Sequence, residues 1–447
     1  MARTNSAARA DRAATLDREI LALAVPAFFT LIAEPLYVLA DTAVVGHLGT
    51  PQLAGVAAAT TILVTGYSLC IFLAMGTTAA VARLLGAGQR EAAAHAAVQA
   101  LWLGVAIGIP LALLGFAFTE PLLSLIGVED AARTYAYEYF RISLLGVPAL
   151  LVALASVGYL RGSKRVWIPL TVAVTSNVIN LALELVLIYG LGYGVGASAL
   201  ATVVVQLGAA SVYAVVVVRA AVVEGAGMRP DRHAIRSAGS DGWLLFLRTL
   251  FLRGAFFVLT AATARLGEIE LAAQQIAMQI WTLLALSLDS LEVAAQTLVG
   301  EALGGGLAAR AHLAARRTLR WGTGVGFAAA LLVLALHNVL PYIFTDDPAV
   351  ISLASFLLVW VAISQPLGGP AFVLDGILVG SGDLTFLARA MAAISLIVIV
   401  GEPIVLWLDG GIGWLWAVFT LFMAARVLVL GLRTASNRWA VTGATRH

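Results

Sequence analysis

Runs of apolar residues recur along the chain from about residue 25 to residue 432, separated by short connections rich in Gly, Pro and Arg. Each run reaches the roughly 20 residues that a helix needs to cross a bilayer. Twelve can be drawn, at 24–46, 53–80, 95–118, 134–159, 167–189, 195–218, 243–264, 271–299, 319–340, 350–379, 388–408 and 413–432. The prediction is an all-α integral membrane protein with twelve transmembrane helices, because a helix satisfies its own backbone polar groups within one segment.

The pattern also repeats. A shift of 218 positions lays Thr42-Ala43 on Thr260-Ala261, Leu48-Gly49 on Leu266-Gly267, and Gly86-Ala-Gly88 on Gly304-Gly-Gly306. The same shift lays Pro148 on Pro366, Gly158-x-Leu160-x-Gly162-Ser163 on Gly376-x-Leu378-x-Gly380-Ser381, and Glu184 on Glu402. After Gly190 the offset slips to 217, which lays Gly194-x-Gly196 on Gly411-x-Gly413. A long, nearly gapless internal match in an apolar chain predicts a duplicated transporter with its working site between the halves. The expected organisation is an N-terminal segment 1–20, a first lobe 21–220 with spans 1–6, a linker 221–241, a second lobe 242–434 with spans 7–12, and a tail 435–447.

Composition narrows the class. Hydrophobic residues make up 61% and charged residues 12%, against about 45–50% and about 25% in a soluble domain. Of the 27 Lys and Arg residues, 21 fall at the termini or in the even-numbered connections, among them Arg3, Arg9, Arg12, Arg18, Arg161, Lys164, Arg165, Arg229, Arg310 and Arg317. Only Arg133 and Arg265 fall in odd-numbered ones. That asymmetry predicts a multi-pass protein of the plasma or inner membrane with both termini cytoplasmic. Six spans per half then give both halves one orientation, a parallel repeat.

The net charge of +2 follows from these loops and calls for no nucleic-acid partner. The first 20 residues lack a small-residue cleavage site after a short apolar core, so a retained first helix is expected. Cys70 is the single cysteine and the six histidines form no pair at ligand spacing, so no metal and no cofactor is expected. His-Glu-x-x-His, Gly-x-Ser-x-Gly and P-loop patterns are absent, which argues against an enzyme.

Charges inside the spans carry the candidate chemistry. An ionisable group there costs at least about 2.5–3.5 kcal/mol, so each is a functional hypothesis. Span 1 carries Glu34 and Asp41, seven residues and roughly 10 Å apart on one helical face. Span 5 carries Asn177, Asn180 and Glu184 on one face. Tyr37, Thr42, Tyr139 and Thr202 are placed to supply hydrogen bonds to a carboxyl cluster. No basic residue of the first half lies at similar depth except Arg141, nearer the outer side. A carboxyl without a counter-ion in a low-dielectric site favours its neutral, proton-bound form, which is what a proton relay needs. The second half differs: Asp375, Asp289, Glu292 and Glu402 share it with Arg248 and Arg253 on span 7, so ion pairing competes with function there. Pro26 and Pro35 remove backbone hydrogen bonds from the helix carrying Asp41 and give it hinges. Gly104-x-x-x-Gly108 and Gly322-x-x-x-Gly326 predict tight helix packing.

These residues resemble the multidrug and toxic compound extrusion (MATE) transporters, DinF-like branch. The resemblance rests on Ala40-Asp41-Thr42 with Gly46-x-Leu48-Gly49 and Leu53-Ala54-Gly55. It also rests on Arg83-Leu-Leu-Gly86-Ala-Gly88 with its copy Gly300-Glu-Ala-Leu-Gly304-Gly-Gly306, and on Gly158-x-Leu160-Arg161-Gly162 with its copy Gly376-Ile-Leu-Val-Gly380-Ser-Gly382-Asp383. It covers about 20 to 435. It implies two parallel six-helix bundles forming a V around a central cavity, and export of organic cations or amphipathic compounds by alternating access in exchange for protons or sodium. It further implies that Asp41 is the protonation site, with Tyr37, Tyr139, Asn180, Glu184 and Thr202 as its polar network and Glu34 beside it. Substrate contacts are expected from Tyr37, Asn177, Asn180 and Asp375, and a bend near Pro26 that couples protonation to release. Sodium-driven relatives use a span-7 glutamate with a span-10 aspartate; Asp375 matches the second, but span 7 holds no acid, which favours protons as the coupling ion over sodium. One chain holds both lobes, so a monomer in the lipid bilayer without an obligatory protein partner is expected. The competing transporter reading, a flippase for lipid-linked precursors, calls for a basic cavity; the intramembrane basic residues are only Arg141, Arg248, Arg253 and Arg426.

Overall fold

The computed structural model describes residues 2–128 and 130–445, with side chains from Ala14 onward except at 130. Arg3, Arg9 and Arg12, which contribute to the charge asymmetry, therefore lie outside the described side chains. Among the described residues the chain is helical and has no strand. The first half comprises α1 (Ala2–Gly46), α2 (Thr50–Cys70), α3 (Phe72–Gly86), α4 (Arg90–Ala117), α5 (Thr119–Ile126), α6 (Asp130–Leu144), α7 (Val147–Gly162), α8 (Trp167–Leu185), a π-helical turn Val186–Gly190, and α9 (Val195–Val223). The second half comprises α10 (Arg232–Ala264), α11 (Glu268–Gly304), α12 (Ala308–Leu336), a 3-10 turn Leu340–Ile343, α13 (Pro348–Gly380), α14 (Leu384–Trp407) and α15 (Ile412–Ala435).

Among the described residues eleven helices are long and apolar enough to span a membrane, and twelve when the bent pair Ala131–Leu144 and Val147–Gly162 is taken as one span. Sequence patterning predicts that pair as one span, 134–159. The 50° bend falls where Pro148 enters α7. Proline has no N–H to give the carbonyl four residues back, and its ring disfavours helical geometry just before it.

The chain divides into two compact units, Phe29–Trp243 and Leu244 onward together with the part of α1 before Phe29. The lobe boundary expected at residue 21 and the division between the compact units at Phe28 both lie inside the uninterrupted helix α1. The division follows local packing. Leu16, Ile20, Leu23, Ala24 and Ala27 are buried on one side of α1, and Asp17 pairs with Arg317 at 3.5 Å and accepts from Trp321 Nε1 at 3.2 Å. Glu19 pairs with Arg310 at 3.1 Å. The segment 221–241, expected as a linker, is mostly helical, leaving 224–231 between α9 and α10. It is fastened to α4: Gln99 donates to the Arg229 carbonyl and accepts from the Asp231 N–H, and Trp102 Nε1 donates to the Met228 carbonyl.

The repeated glycines are the contact points of the duplicated fold. In the first unit a Cβ on Gly158 would lie 2.6 Å from the Ala74 carbonyl oxygen, and one on Gly162 would lie 2.8 Å from that of Thr78. Their copies Gly376 and Gly380 meet the backbone carbonyls of Glu292 and Gln296 even more closely, and those residues are 218 positions after Ala74 and Thr78. α7 on α3 and α13 on α11 are thus one crossing used twice. Gly104 and Gly108 on α4 likewise meet Leu151 and Pro148 of α7, and Gly322 and Gly326 on α12 meet Gly369 and Gln365 of α13. Gly88 and Gly306, also a repeat pair, end their helices with φ of 76° and 73°, a left-handed conformation that glycine adopts without Cβ strain. Gly376→Ala forces α13 away from α11 and is expected to lower stability by about 1–3 kcal/mol, read as a fall in thermal midpoint in detergent. An unchanged midpoint would mean that the crossing tolerates a methyl group.

Candidate functional site

The site grows from α1 and α8, whose polar residues line up as the sequence spacing predicts. Asp41 and Glu184 are buried, and one hydroxyl joins their carboxyls. Ser198 of α9 sits between them and its Oγ contacts both, at 2.9 Å from Asp41 Oδ1 and 3.2 Å from Glu184 Oε1. Tyr37 donates to Glu184 Oε1 at 3.1 Å and lies 3.1 Å from Thr202 Oγ1. Asn180 Nδ2 donates to the Tyr37 hydroxyl at 2.9 Å and to Thr202 at 3.2 Å. Tyr139 is buried and lines the same cavity as Asp41. The result is one connected network from α1, α8 and α9.

Two features set its chemistry. Two buried carboxylates that share one hydroxyl repel each other when both are ionised, which favours a proton on one of them. Glu184 Oε2 is buried without any hydrogen-bond donor from the protein, so a proton carried there has a place to sit. Nor does a cation neutralise the pair. Arg141, the basic residue nearest in sequence depth, donates instead to the Tyr137 hydroxyl at 2.5 Å and lies over the Phe116 ring.

The network forms part of the wall of a cavity of about 780 Å³ inside the first unit. Glu34, Tyr37, Asp41, Tyr139, Asn177, Asn180 and Thr202 all line it, with Thr60, Tyr67 and Gln206 adding polar groups to a largely aliphatic surface. Asn177 is held in place by donating to the Ala33 carbonyl at 2.8 Å. Glu34 takes no part in the Asp41 network and opens onto the cavity about two turns along α1. Duplication alone locates a working site between the halves; the described cavity instead lies among the helices of one unit.

Asp375 is not part of this site. It is buried in the second unit, where Arg248 Nη2 reaches its Oδ2 at 2.6 Å and Arg426 Nη2 at 2.5 Å. Glu292 lies 3.7 Å from Arg248. The expected substrate contact at Asp375 lies outside the first unit's cavity: both guanidinium groups take its Oδ2, and its Oδ1 has no hydrogen-bond partner. Pro26 is buried within α1 and the helix continues through it; the division between the two units falls two residues later. Among the described residues no group of three or more His, Cys, Asp or Glu side chains is arranged to hold a metal ion.

Sequence reasoning missed Ser198, Thr60, Tyr67 and Gln206. Ser198 was within reach: it sits one turn before Thr202 on the same face of α9.

Comparison with known proteins bears on both halves. A family model described as MatE matches residues 26–186 and again 245–404. The chain is 30% identical over 440 residues to the chloroplastic Protein DETOXIFICATION 44 of Arabidopsis thaliana, covering 93% of this chain and 82% of that protein. It is 29% identical over 433 residues to the DNA damage-inducible protein F of Escherichia coli strain K12, covering 93% and 91%. Among solved structures, an outward-facing multidrug resistance MATE family transporter of the MOP superfamily superposes with a TM-score of 0.86 at 22% identity, covering 95% of this chain and 97% of that one. A MOP superfamily transporter from Pyrococcus furiosus superposes with a TM-score of 0.84 at 21% identity, covering 94% and 96%.

Proposed function

The chain belongs to the MATE family, DinF-like branch, a multi-pass membrane transporter of the multidrug and toxin efflux kind, and from that premise we propose that it exports organic cations or amphipathic compounds in exchange for protons, with Asp41 as the coupling carboxyl. The observation that carries this reading is the contrast between the units. Asp41, on the wall of a cavity, and Glu184 behind it share the Ser198 hydroxyl and form no ion pair among the described residues, whereas Asp375 of the second unit is paired with two arginines.

The coupling works by exclusion. With a proton on the pair, Ser198, Tyr37, Asn180 and Thr202 close the network; when the proton leaves, two adjacent negative charges repel and attract a cationic substrate to the same wall. Protonation from the other side of the membrane then expels the substrate. The cavity supplies the remaining affinity through apolar and aromatic surface, which suits polyspecific recognition. Bending of α1 near Pro26, where a backbone hydrogen bond is missing, transmits the change along the helix. Both termini are cytoplasmic and the protein works as a monomer in the cell membrane, a reading supported by the Lys and Arg asymmetry and by the presence of both repeats in one chain.

The test is efflux of a fluorescent organic cation from proteoliposomes under an imposed pH gradient or an imposed sodium gradient. The pH gradient alone is expected to drive accumulation, and sodium alone to give none. Uphill transport on sodium alone would move the coupling ion away from the proton and the coupling site away from Asp41.

A further inference from the structure

Glu402 of α14 is fully buried, and neither of its carboxyl oxygens has a hydrogen-bond partner. The charged groups of the elements packed on this part of α14 are all engaged or distant. On α13, Asp375 is held by Arg248 and Arg426; on α15, Arg426 pairs with Asp375, and Arg433 with Asp383. α10 touches α14 where Ser395 donates to the Phe251 carbonyl, and none of its Arg248, Arg253 and Arg265 forms an ion pair with Glu402. Arg389 stands thirteen residues earlier on α14 itself, roughly 20 Å along the helix.

The repeat sharpens the anomaly. Glu402 is the copy of Glu184, yet every partner of Glu184 has an apolar counterpart. At an offset of 218, Tyr37, Asp41, Tyr139 and Asn180 become Ala255, Leu259, Leu357 and Val398; at the later offset of 217, Ser198 and Thr202 become Leu415 and Phe419. All six are fully buried. The second unit has kept the acid and surrounded it with hydrocarbon.

An ionised carboxylate enclosed this way is shielded from bulk solvent and has no protein donor or cation beside it, so the group carries its proton. A neutral acid that makes no hydrogen bond adds nothing to the stability of this conformation. Its chemistry is therefore exercised in another conformation, one that admits water. We propose that Glu402 is a second proton-binding site, separate from the Asp41–Glu184 pair, loaded in this conformation and discharged when the second unit opens. The site takes a bare proton; its apolar wall provides no ligands for a metal cation. It stands on the second unit alone and does not depend on the proposed role of Asp41.

Infrared difference spectroscopy of the purified transporter in lipid tests this directly, through the carbonyl stretch of protonated carboxylic acids. Wild type is expected to show a high-frequency band, typical of an acid without hydrogen bonds, that is lost in Glu402→Gln and kept in the Asp41→Asn/Glu184→Gln double variant. In the presence of a transported dye, that band should shrink as the pH is raised from mildly acidic to mildly alkaline. Glu402→Leu replaces Gln if the amide is not tolerated, since leucine matches the surroundings. A spectrum unchanged by either substitution would overturn the proposal, as would a band that persists at every pH with the dye present, which would make Glu402 a permanent neutral acid.

Discussion

Asp41→Asn is expected to abolish uphill efflux while leaving the fold intact. The amide keeps the shape of the carboxyl, and its oxygen still accepts from Ser198. What it cannot do is release a proton, so the variant mimics the loaded state permanently. The size of the loss follows from the driving force. A gradient of one pH unit supplies about 1.4 kcal/mol per proton, enough for a roughly tenfold gradient of a monovalent cation exchanged one for one, which moves no net charge. A neutral substrate adds the membrane potential, about 2.3 kcal/mol per 100 mV, or roughly fifty-fold. In proteoliposomes the steady-state ratio of a fluorescent cation should therefore fall from about ten to one in Asp41→Asn. Ser198→Ala, which removes one hydrogen-bonding hydroxyl worth about 0.5–1.5 kcal/mol, should slow transport without breaking coupling. A retained gradient in Asp41→Asn, with circular dichroism unchanged, would sink the assignment.

Much of this was readable from the chain because the relevant signals are periodic. Helix-length apolar runs gave the spans, and a constant offset of 218 gave the duplication and the glycine crossings that it implies. Asp41, Asn180 and Glu184 stood out because polar groups in hydrocarbon are expensive. What escaped was tertiary. The division of α1 at Phe28 depends on which helix pairs with Asp17 and Glu19, and the apolar period of α1 runs through that point without a break. Ser198, though one turn before Thr202, was passed over because serine in a membrane helix more often bonds its own backbone or packs between helices. Arg426 was not anticipated as a partner of Asp375: it comes from α15, 51 residues later, and span 7 offered two nearer arginines. Of those, Arg248 pairs with Asp375, while Arg253 is exposed.

That buried cluster yields the second large effect. Arg248 and Arg426 both reach Asp375 Oδ2, Glu292 lies beside Arg248, and all four are buried in the second unit. Asp375→Asn leaves Arg426 with no acid in contact and one uncompensated charge inside the unit. Removing one partner of a buried pair costs about 3–5 kcal/mol, so a large fall in thermal midpoint is expected. Replacing both partners with apolar groups avoids the stranded charge; Asp375→Leu/Arg426→Met should recover most of the loss, by the same reasoning that makes buried ion pairs weak sources of net stability. The guanidinium groups also stand where a bound cation would have to be. A ligand that binds the folded state raises its stability by RT ln(1 + [L]/Kd), so sodium at high concentration should leave the wild-type midpoint no higher than potassium does. A sodium-specific rise would show that the acids of the second unit remain open to a cation, and would return the coupling ion to question. A midpoint indifferent to sodium, together with collapse on Asp375→Asn and rescue in the double variant, would make the cluster a structural strut and leave coupling to the carboxyls that lack a counter-ion.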